Sequence, residues 1–469
     1  MTAMSNSSNS NPITKRIAVK ILCEFASPAL ISSGYGENTD SDIIRYADEC
    51  CFVPGSTIAG VLRSLCPQTA ELFGVQVSTQ VNTNVNSIVN APEDSQDSLR
   101  NANKDDIMDD LSDRLSPLWV YDAEVQDAKV IELDGVSLDV INKVALDGKK
   151  YDYEAISPGA IFTIRLLLTI RKNDNETKFE QMLKELLGAV KTGKVAFGAR
   201  THRGFGLVKH ISTNKCEFDL AEGNRDNLID WINFDWYKDD KWVPADSTDF
   251  YGDNSTIIAK VRLQGSVMIR DTRNIYEGLG INEKAPDYKH LSIGGKPVIL
   301  GTSWAGVFRS GLSKVLGTLY PEQIGTYIDD VFGFVNEESE TAGVSKITFS
   351  SSFIDAYEPN TEGYRSITRV KIDRFTGGAS DGALFTEKPW YGGETSLEIS
   401  YPKDREDIRE LIILGLEGFN TGVMQIGGET SIGRGFLNVL TIDGENAADV
   451  LGTPKHALID KLKEAGEIG

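Results

Sequence analysis

A chain of 469 residues exceeds the roughly 250–300 at which one hydrophobic core stops growing, so two or more domains are expected. With 40% apolar and 25% charged residues and no run approaching about 18 apolar residues, the composition excludes a disordered or helical membrane-spanning class. The formal charge of −21 argues against indiscriminate binding to polyanions, yet the acid is concentrated in residues 93–113 and 217–253 and leaves room for a local basic groove.

Met1 to Pro12 is rich in Ser and Asn without an apolar segment, which reads as a disordered tail (1–14) and not a signal peptide. A strand is expected over Ile17–Phe25, then a polar loop, Ser32–Tyr46. Val53-Pro54-Gly55-Ser56-Thr57-Ile58-Ala59-Gly60-Val61-Leu62-Arg63 opens a helix, with Ser56 or Thr57 as the natural N-cap. Leu72-Phe73-Gly74 closes it. Residues 75–115 read as a flexible polar insertion, and Ser116–Val120 as the next strand. A protruding hairpin is expected at about 136–155. A strand (160–170), a helix (178–190), the loop Phe197-Gly198-Ala199-Arg200-Thr201-His202-Arg203-Gly204-Phe205-Gly206 and a closing strand (206–211) follow.

After an acidic, Trp-bearing connector (216–254) the same words return. A strand at 257–263 precedes Ile299-Leu300-Gly301-Thr302-Ser303-Trp304-Ala305-Gly306-Val307-Phe308-Arg309, where Thr302 or Ser303 should cap. Val331-Phe332-Gly333 repeats the triplet and Ser345–Phe349 the strand. A second hairpin is expected at about 365–390, then a strand (395–401), a helix (404–419), the loop Ile426–Phe436 and a last strand (436–442). A tail (446–469) ends in a short amphipathic helix. Gly60 and Gly306 each cost a helix about 1 kcal/mol, which implies another backbone pressed against them. Duplicated words in one order mean two copies of one domain, 15–215 and 255–445. Strand, helix, strand, strand, helix, strand is the ferredoxin-like split βαβ order, hence an α+β class with two tandem ferredoxin-like (RRM-like) domains carrying thumb hairpins and loop insertions. Five cysteines without a CxxC spacing (Cys23, Cys50, Cys51, Cys66, Cys216) point to free thiols in a reducing cytoplasm.

The Pro-Gly-Ser word with its arginine, the Leu-Phe-Gly triplet and the glycine loop closing on Arg-Gly-Phe resemble the RAMP (repeat-associated mysterious protein) superfamily. The resemblance covers roughly 15–212 and 255–442. Lys371-Ile372-Asp373-Arg374-Phe375-Thr376-Gly377 resembles the thumb hairpin of that superfamily's backbone subunits in type III CRISPR effector complexes, and a two-domain chain is most similar to the tandem subunit of the III-D-like kind. The resemblance implies a cytoplasmic subunit with guide RNA, target RNA and other CRISPR effector subunits as partners and no membrane. It implies cleavage of guide-paired target RNA by a loop aspartate, a divalent metal (Mg²⁺ or Mn²⁺) and the adjacent 2′-hydroxyl.

On that reading the catalytic and metal-binding carboxylates are Asp40, fifteen residues before Gly55, and Asp287, fourteen before Gly301, with Asp42 and Asp271 in reserve. Guide contacts fall on the helix starts Gly55, Ser56, Gly301, Thr302 and Ser303 with Arg63 and Arg309, and on the loops through Arg200, His202, Arg203 and Arg434. The second thumb adds Arg369, Lys371, Arg374 and a wedging Phe375; the first has Lys143, Lys149 and Lys150. The rival readings are a non-catalytic guide-binding backbone and, with His202 and His290 in RNA-facing loops, a guide-processing ribonuclease. Without the resemblance, loop aspartates serve turns and glycine loops serve hairpins.

Overall fold

The computed structural model describes residues 11–34, 36, 39–74, 115–138, 145–192, 195–238, 241–250, 252–272, 275, 285–336, 340–356 and 362–467. The expected tail up to residue 10, nearly all of the insertion after Gly74 and the first hairpin's tip with Lys143 lie outside the described residues.

In the first half β1 (Ile13–Phe25) buries Ile17, Val19, Ile21, Cys23 and Phe25, alternate residues of a half-buried strand. Helix α1 (Gly55–Leu65) and β2 (Leu118–Val120) follow. The hairpin β3 (Val130–Leu138) and β4 (Ala145–Ile156) precedes β5 (Ile161–Arg171), α2 (Glu176–Lys191) and β6 (Val208–Asp219). Strand β1 pairs antiparallel with both β5 and β6, and β2 pairs with β5, so the main sheet reads β2-β5-β1-β6. The connector contributes α3 (Arg225–Ile232).

The second half repeats the plan. Strands β7 (Asn254–Gln264) and β8 (Tyr288–His290) lead to α4 (Gly301–Gly317), α5 (Ile324–Phe332) and β9 (Thr348–Phe349). The hairpin β10 (Ile367–Ile372) and β11 (Ala379–Lys388) is followed by β12 (Glu394–Pro402), α6 (Glu406–Asn420), β13 (Phe436–Ile442) and a terminal α7 (His456–Glu467). Its sheet reads β9-β12-β7-β13, the same order as the first and compatible with a ferredoxin-like arrangement. Small features repeat too. Ser116 Oγ lies 2.8 Å from Leu72 O and 2.7 Å from Leu118 O; Ser345 Oγ lies 3.4 Å from Val331 O and 2.8 Å from Ile347 O.

Two expectations about the helix starts are corrected. Ser56, Thr57, Thr302 and Ser303 do not cap: the helices begin at Gly55 and Gly301, and the caps come from the neighbouring strand ends. Gly55 N–H donates to Asp122 Oδ1 (2.7 Å) and Gly301 N–H to Ser351 Oγ (3.1 Å). Nor, among the described residues, does any backbone press on Gly60 or Gly306, which meet nothing of theirs within 4 Å of a Cβ position. The close approach is one turn earlier. A Cβ on Gly55 would stand 2.5 Å from Val120 O, and one on Gly301 would stand 2.2 Å from both Phe349 O and Arg203 O.

Arg203 belongs to the first glycine loop, so the halves meet here. Gly204, at φ +75°, presses on Phe349 O, and His202 Nδ1 lies 3.3 Å from Thr348 Oγ1. Beside this contact Leu30, Leu133, Tyr153 and Phe205 of one half pack with Leu291, Ile293, Val298 and Leu300 of the other. The connector covers the face of the first sheet away from its helices, with Trp231, Phe234, Trp236 and Trp242 around Ala18, Leu167, Cys216 and Phe218. Arg16 stacks 4.3 Å from Trp231 and Lys20 Nζ 4.1 Å from Trp242. All five thiols are free.

Gly301→Ala is expected to destabilise by about 1–3 kcal/mol or more through that double clash, whereas Gly306→Ala, in open space, gains about 1 kcal/mol. Denaturant midpoints of the two variants check the contrast. Equal shifts would show that the carbonyl contact is not the constraint.

Candidate nucleic-acid interface

Each half ties its candidate aspartate to the returning strand of its hairpin. Asp40, exposed, accepts from Asp152 N–H through Oδ2 (2.9 Å), while Asp152 Oδ1 accepts from Asp40 N–H (3.0 Å). Asp287, also exposed, accepts from Thr386 N–H through Oδ2 (2.6 Å), and Thr386 O accepts from Asp287 N–H (2.8 Å). The two carboxylates therefore sit at equivalent places, each with one oxygen held by a backbone amide. The reserve candidates are buried: Asp42 Oδ1 accepts from Thr39 N–H (3.0 Å) and Oγ1 (2.7 Å), and Asp271 stands opposite Lys289 in a strand pair.

Immediately beyond each clamp is a buried glutamate whose role the sequence did not disclose. Glu154 Oε2 accepts from Ile43 N–H (3.0 Å) and Arg45 Nη2 (2.8 Å), which raises the Arg45 pKa. Glu387, fully buried, pairs with Arg434 and with Arg369 Nη2 (2.8 Å), and Tyr288 Oη lies 3.1 Å from its Oε2. Burial and the nearby Glu429 push the Tyr288 hydroxyl up to about 12. Removing one member of such a buried set costs on the order of 3–5 kcal/mol, because the other charge is left unpaired. These groups hold the hairpin base and the aspartate loop together.

The predicted basic residues divide accordingly. Arg434 turns inward, 3% exposed, and spends its charge on Glu387 and Glu429; the outward-facing arginine expected of its loop is corrected. Arg309 is tied to Asp329 (2.6 Å) and Gly333 O (2.9 Å), and Arg369 to Glu387. Arg200 stacks its guanidinium 4.2 Å from the Tyr153 ring and 4.7 Å from Tyr151. Arg63, His202, Arg203, Lys150, Lys371 and Arg374 are exposed. Ser56 is exposed, and Thr302 and Ser303 are half-buried.

The second hairpin's tip is ordered by Asp373, whose Oδ1 accepts from Thr376 N–H (2.7 Å), Phe375 N–H (3.0 Å) and Thr376 Oγ1 (2.9 Å). These bonds, Thr376's first, hold the Asp373 carboxyl below its ordinary value. Phe375 is 98% exposed beside Lys371 and Arg374, and Val370, Ile372 and Leu384 of the hairpin are exposed as well. An apolar ring with nothing against it, flanked by cations, is suited to stacking on bases while the cations meet phosphate. Among the described residues no group of three His, Cys, Asp or Glu is placed to hold a metal ion, and no helix is long and apolar enough to cross a membrane.

A family model described as RAMP superfamily matches residues 22–209 and 288–438. No curated protein matches the chain.

His290, beside Tyr288 and Lys289, does not face RNA: it is fully buried. Its Nδ1 accepts from Ile269 N–H (3.1 Å), which assigns the ring proton to Nε2, and burial lowers its pKa to about 3. Below about pH 6.5 the unfolded chain takes up a proton that the folded chain refuses, so stability falls with pH at about 1.4 kcal/mol per unit until the folded pKa is reached. His290→Asn, which can still accept from Ile269, is expected to flatten the stability–pH slope between pH 6 and 4 by about that amount. Urea unfolding across that range measures it, and an unchanged slope would refute the buried neutral ring.

Proposed function

The chain belongs to the RAMP superfamily, and from that premise we propose that it is a tandem backbone subunit of a type III, III-D-like CRISPR ribonucleoprotein. In this reading its two domains, 15–215 and 255–445, carry guide RNA and cut guide-paired target RNA at two points. The observation that carries it is the repeated arrangement of an exposed aspartate clamped to the base of a protruding hairpin, with the exposed Phe375 at one tip.

In this reading Phe375 enters the guide–target duplex and displaces a nucleotide, while Lys371 and Arg374 meet the phosphates. Arg63 and Arg203 supply further guide contacts. Asp40 and Asp287 each stand beside a displaced nucleotide and take the proton of its 2′-hydroxyl. The 2′-oxygen then bonds to the adjacent phosphorus to give a 2′,3′-cyclic phosphate, and the bond to the 5′-oxygen breaks as that oxygen takes a proton from water and leaves as a hydroxyl. A lone aspartate is a weak base, so positioning supplies much of the acceleration. The residues present fit a divalent ion only in part. The carboxylate oxygen left over from each clamp can be one ligand, and water and RNA must give the rest, a mode that suits Mg²⁺ or Mn²⁺. Such an ion would stabilise developing negative charge. Neighbouring effector subunits, guide RNA and target RNA are the partners.

A second reading, a non-catalytic guide-binding backbone, is favoured by one observation: each clamp gives its aspartate a structural use. Asn retains an oxygen for the amide and removes the charge, so it separates the two. Asp40→Asn and Asp287→Asn are each expected to abolish one target-cleavage position, by on the order of 100-fold or more, with target binding unchanged. Product ladders from the assembled complex in Mg²⁺ and in EDTA report this; ladders untouched by both substitutions would leave the structural reading standing.

A further inference from the structure

The two aspartate clamps occupy equivalent places but are made differently. In the second half the stretch after Asp287 is a strand, β8, paired in parallel with β11 through Tyr288 with Glu387 and Lys289 with Lys388. Asp287 N–H donates there to a main-chain acceptor, Thr386 O (2.8 Å), while Thr386 Oγ1 lies 3.1 Å from Thr368 Oγ1. In the first half the corresponding stretch, Asp40–Ile43, is a loop, and carboxylates lace it to β4. Asp40 N–H donates to Asp152 Oδ1 (3.0 Å) and Ile43 N–H to Glu154 Oε2 (3.0 Å), and Ser41 O accepts from Glu154 N–H (3.0 Å). Asp152 does with its side chain what Thr386 does with its backbone.

The strand that carries Asp152 is a stiff mount. Tyr151 and Tyr153, on either side of it, both lie against the Arg200 guanidinium, at 4.7 and 4.2 Å. The Tyr151 ring covers Gly135, where a Cβ would stand 2.1 Å from it. Tyr153 is buried in the cluster shared by the two halves, with Phe205, Leu291 and Ile293. Glu154, the next residue, is buried and balanced by Arg45. An acceptor held this firmly fixes where the Asp40 main chain lies, and Asp152 N–H, donating to Asp40 Oδ2 (2.9 Å), fixes its side chain. Removing the acceptor leaves the second bond but releases the backbone that carries the carboxylate.

We propose that Asp152 is a positioning residue for Asp40, matched in the second half by main chain alone, so that the two cutting positions depend on different residues. Asp152 acts through the Asp40 main chain and not on the reacting atoms. The inference rests on the reading of Asp40 as the base at one cutting position. A base displaced by about 1 Å loses on the order of 100-fold in rate.

The test is Asp152→Ala in the assembled complex, with guide, Mg²⁺ and an end-labelled target RNA. The single-turnover rate at the position that Asp40→Asn abolishes is expected to fall on the order of 100-fold. The rate at the other position and the target Kd should not change. Asp152→Asn keeps an acceptor oxygen and removes one of two neighbouring like charges, so it should restore most of the lost rate. In the isolated chain, amide hydrogen exchange over residues 39–43 should quicken about tenfold in Asp152→Ala and stay slow in Asp152→Asn. Exchange over residues 287–290 should be the same in both. Unaltered cutting by Asp152→Ala, equal loss at both positions, or an Asn variant as poor as the Ala variant would overturn the proposal. A ladder left whole by Asp40→Asn is instead the failure of the cleavage reading. The exchange measurement then decides by itself, and exchange over 39–43 indifferent to Asp152→Ala would show that Asp152 does not hold the loop.

Discussion

A strand carbonyl set against a glycine that opens a helix is the constraint from which each half is built. Val120 O at Gly55 and Phe349 O at Gly301 bring the helix start closer to the sheet than any residue with a Cβ allows. The strand that supplies the carbonyl runs on into the residue that caps the helix, Asp122 or Ser351. Helix, strand and cap therefore form one unit, in which the first amide is satisfied by a tertiary partner and not by the helix's own hydroxyls. In the second half the same glycine also takes Arg203 O. The contact that seats a helix on its sheet thus seats one half on the other, and the shared cluster around Phe205 and Leu300 closes beside it.

The two copies keep the backbone and exchange the chemistry. Arg200 and Glu429 occupy the same left-handed position of the two glycine loops, at φ +60° and +61°. The first lays a cation over Tyr153 and Tyr151; the second offers a carboxylate to Arg270, Arg434 and Tyr288. At the hairpin bases Glu154 is balanced by Arg45, a loop residue, and Glu387 by Arg369 and Arg434, from the hairpin and the glycine loop. A reversal of sign in one slot is tolerated where the buried carboxylate beside it still finds a cation.

What was legible in the sequence was what local pattern controls. The alternation of β1 and β7, the amphipathic helices, the triplets ending on Gly74 and Gly333, and the two hairpins are all present, because periodicity and left-handed glycines are local signals. The caps were not legible: Asp122 and Ser351 are distant in the chain from the amides they serve. Gly60 and Gly306 were misread for the related reason that a glycine's neighbours are tertiary facts. The inward turn of Arg434 depended on Glu387, a partner 47 residues away. The connector's role was hidden because its acidic residues dominate its composition, while its four aromatic rings do the packing.

The clamp also bears on how a carboxylate could act where no cluster of ligands surrounds it. An exposed loop aspartate ordinarily samples many positions, and that freedom must be lost before it can meet a particular hydroxyl. At Asp40 and Asp287 the loss has already occurred on folding, through bonds to a strand that is itself anchored by a buried glutamate. One oxygen is used in the clamp and the other is left to be completed from outside. In the proposed reading, two such half-built sites, each at the root of a hairpin, would be inert by themselves and would gain their remaining ligands only when a paired strand lay against the hairpin, so that cutting would be confined to RNA already bound.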